Sequence, residues 1–455
     1  MNRAYIKDLG AHIGEEVLIK GWVDSRRDHG KLIFLDVRDG GGKVQVVILP
    51  GDPSATDEAG RAGHQSNAHE LRDEWTIELA ALVKERPAKM VNENELNGHI
   101  ELEAKALTVI TKAEELPFDN KAELNLETHL DYLPLTLRRE RTRDIFKIQA
   151  CILQAYRNSL ISQNFTEFVS PAIVGGDAEG GSAVFALDYF ADHKAYLATS
   201  PQFYKQIMVG AFERVFTVAK VFRAEKSATS RHISEITQMD FEMGFIQNEL
   251  EPIAVLEQIM KNVCKSVIDN HGDILERMGI ATPKTPNKFP IFTLLEVQEI
   301  LEKNFNVKCI GEDDMAPEHE RMICEWALKE FNSDFVFITK FPTKARAFYT
   351  YEDPKEAPLS RGFDLLFRGL EINSGAQRIN DYDQLIDKIK SKGLRPELFA
   401  YYLQAFKYGM PPHGGSSTGL ERFTGRMLGL ANIKESTAFP RDMNRIDSLL
   451  SRADE

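Results

Sequence analysis

The sequence predicts an α+β protein in two parts, a small N-terminal β-barrel followed by a larger antiparallel sheet flanked by helices. Three observations carry this expectation. Five short runs of alternating apolar residues, separated by turn signals, fill about the first 110 positions. A helical period then sets in near Arg141, with Ile145, Ile148, Ile152 and Ala155 on one face. Beyond it, helices alternate with strands such as "MDFEMGF" that are apolar on one side and charged on the other, which suits an antiparallel sheet with a solvated working face.

Taken in order, the first runs are "EEVLIKGWVDSR", "KLIFLDVRDG", "KVQVVIL", "EWTIELAALVKER" and "HIELEAKALTVI". Leu32 and Phe34, then Val44 and Val46, keep the two-residue spacing of a strand face, and Asp39-Gly40-Gly41-Gly42 forms a hairpin turn between them. Five strands over residues 1–111 make a small closed barrel; the OB-fold is the commonest such design, and an SH3-like barrel is the alternative that patterning leaves open. Residues 112–139 hold two prolines and no sustained period, and read as a connector to a second domain at 140–455. There, Met239, Phe241, Met243 and Phe245 share one strand face opposite Asp240 and Glu242. Phe363, Leu365 and Phe367 likewise oppose Asp364, Leu366 and Arg368, and "RPELFAYYLQAF" opens a helix with Pro396 at its first position.

Composition narrows the class of protein. At 455 residues the chain exceeds one ordinary core, and 43% apolar with 27% charged residues is a globular balance. No apolar run approaches the roughly 18 residues of a membrane span. The start, "MNRAYIKDLGAHIGEE", lacks a secretory layout, which predicts a cytoplasmic protein. Cys151, Cys264, Cys309 and Cys324 are far apart with no CxxC pair, against a zinc site or disulfide framework and in keeping with a reducing compartment. A net charge of −13 excludes a general nucleic-acid coat, so any nucleic acid must meet local basic patches; the charge alone favours a small-molecule enzyme.

Three charged stretches point to a polyphosphate. "VFRAEKSATSRHISEITQMDFEMGF" joins two strand-like runs by a polar loop, placing Arg223, Arg231 and His232 at the mouth of a sheet. Guanidinium groups bind phosphate oxygens in pairs, although a hairpin with ordinary surface ion pairs has the same pattern. "GLEINSGAQR" puts Glu371 on a strand, Ser374 and Gly375 at a turn and Arg378 just beyond. "HGGSSTGLERFTGRMLGL" is a glycine- and serine-rich turn running into a helix, with Arg422 in its first turns. A helix start of this kind can cradle an anion. No GxxxxGK[ST] stretch is present, which excludes a P-loop.

"FRAE…RH…E", "SPQFYKQ", "GLEINSGAQR" and "GLERF", in the contexts above and behind a barrel, together resemble the class II aminoacyl-tRNA synthetases of the aspartyl type. The resemblance covers nearly the whole chain. It implies an N-terminal OB-fold β-barrel that binds the anticodon, followed by a class II synthetase antiparallel sheet flanked by helices. The spacing of about 175 residues between the second and third motifs resembles the compact archaeal and eukaryotic layout. Motif 1, the helix from Arg141 through "FTEFVSPAI" with Pro171, implies a homodimer.

The family's reaction is attack of the L-aspartate carboxylate on the α-phosphate of ATP, then transfer of the aspartyl group to the terminal ribose of tRNA(Asp), and in some members also of tRNA(Asn). By resemblance, Arg223, Arg378 and Arg422 are the catalytic arginines, Arg223 bridging the substrate carboxylate and the α-phosphate. ATP would contact Arg223, Glu225, Arg231, His232, Ile233, Glu371, Gly419, Leu420, Glu421 and Arg422. Mg2+ would be held by Asp364, Glu371 and Ser374, hard oxygen donors of the kind that ion takes. Aspartate would be bound by Lys205 and Arg378 at its side-chain carboxylate and by Glu179 and Gln202 near its α-amino group, with Arg223 and Ser374 beside it. On the barrel, Phe34 would stack on a base, Gln45 read the middle uridine and Arg26 hold the backbone. His29 resembles the residue of members that charge both tRNAs, whereas Lys89 stands where those members have glycine.

Two positions depart from the family pattern. Ile236 replaces an aromatic that stacks on adenine, and Ser417 replaces a glycine. Competing readings are an asparaginyl enzyme, whose relatives read "SGQL" where this chain has "SPQFYK", and a non-catalytic RNA-binding paralogue, which would lack arginines retained here. An ammonia-dependent asparagine synthetase shares the catalytic fold but has no barrel.

Overall fold

The computed structural model describes residues 2–29, 32–49, 68–93, 95–176, 183–226 and 229–446. The chain forms two units, Met1–Glu123 and Leu124–Glu455.

In the first unit, strands β1 (Glu16–Asp28), β2 (Ile33–Arg38), β3 (Lys43–Ile48), β4 (Thr76–Glu85) and β5 (Ile100–Thr111) close into a barrel of order β1-β2-β3-β5-β4. Period-two burial sets the register: Val17, Ile19, Val23, Leu35, Val37, Val46, Leu79 and Leu102 fill the interior. The turn after β2 forms as its sequence predicts. Asp39 N donates to the Gly42 carbonyl at 3.0 Å, and Asp39 Oδ1 accepts from Gly41 N at 2.6 Å. Ile33, Leu35 and Val37 take the inner face, so Phe34 stands outside the barrel, edge-on to the His29 ring with centroids 5.6 Å apart.

In the second unit, two helices, Leu126–Asp131 and Leu133–Thr136, lie within the stretch that reads from sequence as a connector; neither is long enough to display a period. The long helix Glu140–Ile161 buries Ile145, Ile148 and Ile152, the stripe expected from its spacing. The strands that follow are β6 (Thr166–Glu167), β7 (Ile173–Val174), β8 (Ala186–Asp188), β9 (Lys194–Leu197), β10 (Arg214–Phe222), β11 (Glu235–Gly244), β12 (Ile291–Thr293), β13 (Phe335–Thr339), β14 (Gly362–Phe367), β15 (Leu370–Arg378) and β16 (His413–Gly419). Eight of them form one sheet, β12-β13-β14-β15-β16-β11-β10-β6. The sheet is antiparallel from β13 to β10 and has a short parallel pair at each edge. One face packs Phe216, Phe241, Phe337, Phe363 and Phe367 with the helices Glu140–Ile161, Leu250–Arg277 and Leu420–Met427. The other face carries the polar side chains.

Three expectations need correction. Ser374 and Gly375 are not at a turn but in the middle of β15, and "HGGSSTG" is strand β16 rather than a turn. Glycine is required there by close packing: a Cβ on Gly375 would sit 2.3 Å from the Phe363 ring and 2.6 Å from Ser416 Cβ. Phe245 does not share the buried face of Met239, Phe241 and Met243; the chain turns at a φ of 59° and leaves it 69% exposed. Nor is the opposite face of β11 solvated at its far end, because Asp240 and Glu242 are both 0% exposed under the helix Gln202–Phe212.

The packing at Gly375 gives a test. Gly375→Ala is expected to lower unfolding stability by about 1–3 kcal/mol through overpacking, read as a fall in the denaturant midpoint. An unchanged midpoint would contradict the close approach of β14, β15 and β16.

Candidate active site

The polar face of the sheet opens into a cleft of about 670 Å3. The hairpin β10–β11 forms one wall. Its backbone is closed where Arg223 N donates to the Ser234 carbonyl at 2.8 Å, leaving the Arg223 side chain 39% exposed with a loose Glu225 partner at 3.6 Å. Further along the loop, Thr229 Oγ1 lies 2.6 Å from His232 Nδ1 and accepts from Arg231 N at 3.2 Å, fixing the stretch that carries both cationic side chains. The opposite wall is β15 with the start of the helix Leu420–Met427. There Arg422 Nη1 donates to the Glu371 carbonyl at 3.2 Å and lies 3.6 Å from its carboxylate.

The structure brings eleven of the expected residues to this cleft: Gln202, Arg223, Glu225, Arg231, His232, Ile233, Glu371, Ser374, Arg378, Gly419 and Arg422. Ile236 and Ser417, the two departures, line it as well. The charge is lopsided, with five arginines (Arg223, Arg231, Arg346, Arg378, Arg422) against two glutamates (Glu225, Glu371). In a chain of net charge −13, that is a strong local reversal.

Other expected residues lie beneath the surface. Lys205 is 0% exposed, and its Nζ sits 2.8 Å from Asp240 Oδ2, 3.3 Å from Glu242 Oε2 and 3.2 Å from the Ser416 carbonyl. Arg378 donates through Nε to Glu242 Oε1 at 3.0 Å and through Nη2 to the Gly415 carbonyl at 3.0 Å. The two cations therefore meet on the two oxygens of one carboxylate. Burial pushes the Glu242 carboxyl up, but Arg378 and then Lys205 hold it below the usual range. Ser417 Oγ donates to Asp240 Oδ1 at 2.6 Å, so the side chain that replaces glycine joins the same network. Leu420 belongs to the core, and the Glu421 carboxylate accepts from Thr237 N at 3.0 and 3.1 Å, tying the helix start to β11. Neither lines the cleft. Glu179 lies outside the described residues.

Asp364 is also off the cleft surface. Arg346 grips it in a fork, Nη1 to Oδ1 at 3.0 Å and Nη2 to Oδ2 at 2.6 Å, and Nη1 reaches Ser374 Oγ at 3.3 Å. Burial, then the nearby Asp364 carboxylate, pushes the Glu371 carboxyl up to about 7, with Glu320 adding to it and Arg422 and Arg346 opposing. Glu320 accepts from Glu371 N at 3.1 Å. Sequence reasoning missed Arg346, Glu320 and the structural roles of Asp240 and Glu242. Arg346 follows a short 3-10 turn with no period to mark it, and Glu320 sits on a helix about fifty residues away in sequence.

On the barrel, Phe34 and Gln45 both stand on the half-exposed outer face, since β2 and β3 each turn alternate residues inward. Arg27, also missed, donates to Asp36 Oδ1 at 3.2 Å and to Gln45 Oε1 at 3.4 Å. Arg26 Nη1 lies 3.3 Å from Asp28, His29 packs edge-on to Phe34, and Lys89 is exposed on a 3-10 turn.

Comparison with known proteins gives the same division. The OB-fold nucleic acid binding domain matches residues 17–110, and the tRNA synthetases class II (D, K and N) match residues 125–443. An aspartate–tRNA(Asp/Asn) ligase of Thermus thermophilus is 40% identical, covering 98% of this chain and 99% of that one. An aspartate–tRNA(Asp) ligase of Picrophilus torridus is 37% identical over the same shares. Among solved structures, an asparaginyl-tRNA synthetase from Pyrococcus horikoshii complexed with asparaginyl-adenylate superimposes with a TM-score of 0.88 at 28% identity, covering 98% of this chain and 99% of that one. An aspartyl-tRNA synthetase from Entamoeba histolytica gives 0.85 at 27%, covering 98% and 93%. The barrel, the antiparallel sheet with its arginine-lined cleft and these full-length similarities place the chain in one family: it belongs to the class II tRNA synthetases of the D, K and N group.

Proposed function

We propose that this synthetase is an aspartate–tRNA ligase that activates L-aspartate with ATP and transfers it to tRNA(Asp). The excess of arginine along the cleft carries the reading, because a triphosphate and an amino acid with two carboxylates must be neutralised together. The fold alone does not choose between aspartate and asparagine, since solved asparaginyl enzymes superimpose as well as aspartyl ones. The floor supports aspartate. Arg378 lines the cleft as a guanidinium held in place by Glu242 and the Gly415 carbonyl, and a group that only donates fits the two acceptor oxygens of a carboxylate better than an amide with its own NH2.

In this reading the reaction depends on positioning and charge neutralisation. Arg378 receives the side-chain carboxylate, and Gln202 lies at the α-amino end. Arg223 sits between substrate carboxylate and α-phosphate and offsets the charge that builds as the new bond forms. Arg231 and His232 hold the terminal phosphates, and Arg422 and Ile236 pack near the base. A carboxylate oxygen attacks phosphorus and pyrophosphate leaves.

Mg2+ would be held by Glu371, Ser374 and Asp364. Their oxygens lie on paired strands, with Asp364 opposite Ser374, and the Glu371 carboxyl is raised first by burial and then by the nearby Asp364 carboxylate. Among the described residues no group of three His, Cys, Asp or Glu side chains could hold a metal ion. Magnesium commonly takes one or two carboxylates plus substrate phosphates. When bound, it would supply positive charge between those phosphates. Glu371→Gln is expected to abolish the extra rise in melting temperature that Mg2+ gives on top of ATP; an undiminished rise would place the ion elsewhere.

The barrel would read the anticodon. Phe34→Ala is expected to weaken tRNA binding roughly 5- to 150-fold, the loss of one stacked base at about 1–3 kcal/mol, while ATP–pyrophosphate exchange without tRNA stays unchanged. Equal affinity would remove Phe34 from the interface. Val169 and Ile173, at 94% and 50% exposed, support a homodimer through the motif 1 region. No helix among the described residues is long and apolar enough to cross a membrane, and Cys151, Cys264, Cys309 and Cys324 are free thiols. Aminoacylation with purified tRNA(Asp) and tRNA(Asn) tests the whole reading. Aspartate on tRNA(Asp) is expected, asparagine on either tRNA would refute it, and the tRNA(Asn) arm decides the range that His29 and Lys89 leave open.

A further inference from the structure

Beneath the amino-acid end of the cleft runs a buried chain of hydrogen bonds whose polarity can be read from one end to the other. His413, 0% exposed at the start of β16, has Nδ1 2.8 Å from the Pro411 carbonyl. That oxygen can only accept, so Nδ1 carries the proton. Burial, set against Glu242 and with Arg378 also opposing protonation, lowers the His413 pKa to about 4, so the ring is neutral and its Nε2 is an acceptor. The Phe406 ring, 5.9 Å away, adds no charge.

The group facing Nε2 is the side-chain amide of Gln206, 2.8 Å away, which must therefore donate its NH2. Its Oε1 is left to accept from Tyr402 Oη at 3.1 Å and from Gln202 Nε2 at 2.9 Å. Gln202, with its NH2 turned inward to that oxygen, turns its carbonyl oxygen toward the cleft that it lines.

We infer that His413 is a positioning residue for substrate specificity: through Gln206 it orients the Gln202 amide so that an acceptor, and not a donor, meets the α-ammonium of the amino acid. The inference rests on the aspartate-activating reading and adds to it a device for recognising the amino group. With an N–H at Nε2, Gln206 would have to reverse, Gln202 would follow, and the Gln202 NH2 would confront the ammonium.

The test compares aspartate with succinate, which has the same two carboxylates and no α-ammonium. His413→Leu removes the acceptor, whereas His413→Gln replaces it with an amide oxygen that Gln206 can reach. Hydrogen bonds to charged groups contribute enough for His413→Leu to raise the KM for aspartate about 10- to 100-fold. The KM for ATP and the inhibition constant of succinate should stay within about twofold, and His413→Gln should restore most of the aspartate KM. Tyr402→Phe, which removes only one donor to Gln206, should show the same selectivity at about threefold and covers the case in which His413→Leu fails to fold. Parallel losses for aspartate and succinate, or no change for aspartate, would overturn the inference. Aspartate-dependent exchange by the wild-type protein, measured alongside, upholds the underlying reading whichever way the variants fall.

Discussion

Replacing Arg223 with alanine is expected to lower aspartate-dependent ATP–pyrophosphate exchange about 10²- to 10³-fold without shifting the melting temperature. The two halves of this prediction have different origins. The Arg223 side chain is 39% exposed and its ion pair with the 43% exposed Glu225 is a long 3.6 Å, so removing it strands no buried charge. Folding therefore barely registers it. The chemistry does, because a fixed cation placed where charge develops costs no reorganisation during reaction, and losing one such donor has that order of effect. A variant that lost stability in step with activity would show Arg223 to be structural.

Arg378→Met should behave differently and damage both properties. Here the guanidinium is 5% exposed and shares Glu242 with Lys205, and methionine leaves that carboxylate with half its neutralisation. Removing one partner of a buried pair destabilises by about 3–5 kcal/mol. Adding Glu242→Gln should recover a large part of that stability, because the orphaned charge disappears with it, yet aspartate activation should stay lost. Recovery of activity in the double variant would mean that Arg378 serves only to hold Glu242. Chemical denaturation gives the first quantity and pyrophosphate exchange the second.

Much of this was legible in residue order, for a definable reason. Barrel strands alternate inside and outside, so all five runs could be seen, and the arginines of the hairpin, of "GAQR" and of "GLERF" could be picked out as a set. What was not legible depends on partners distant in sequence. Gly375 and the glycines of β16 look like turn residues, but they lie in strands because neighbouring chains approach closer than a Cβ allows. Asp240 and Glu242 look like a solvated face until the helix carrying Lys205 covers them. Arg346 has no signal in its own neighbourhood, and only the fold brings it onto Asp364. Phe34 has the apolar character of a core residue, and only the inward turn of Ile33 and Leu35 puts it outside.

The most direct measurement is tRNA-independent ATP–pyrophosphate exchange by the purified protein, with L-aspartate or L-asparagine as the only amino acid. A floor that presents the Arg378 guanidinium, fixed from below by Glu242 and Lys205, predicts rapid exchange with aspartate and a rate near background with asparagine. Exchange that runs with asparagine and fails with aspartate would contradict the account.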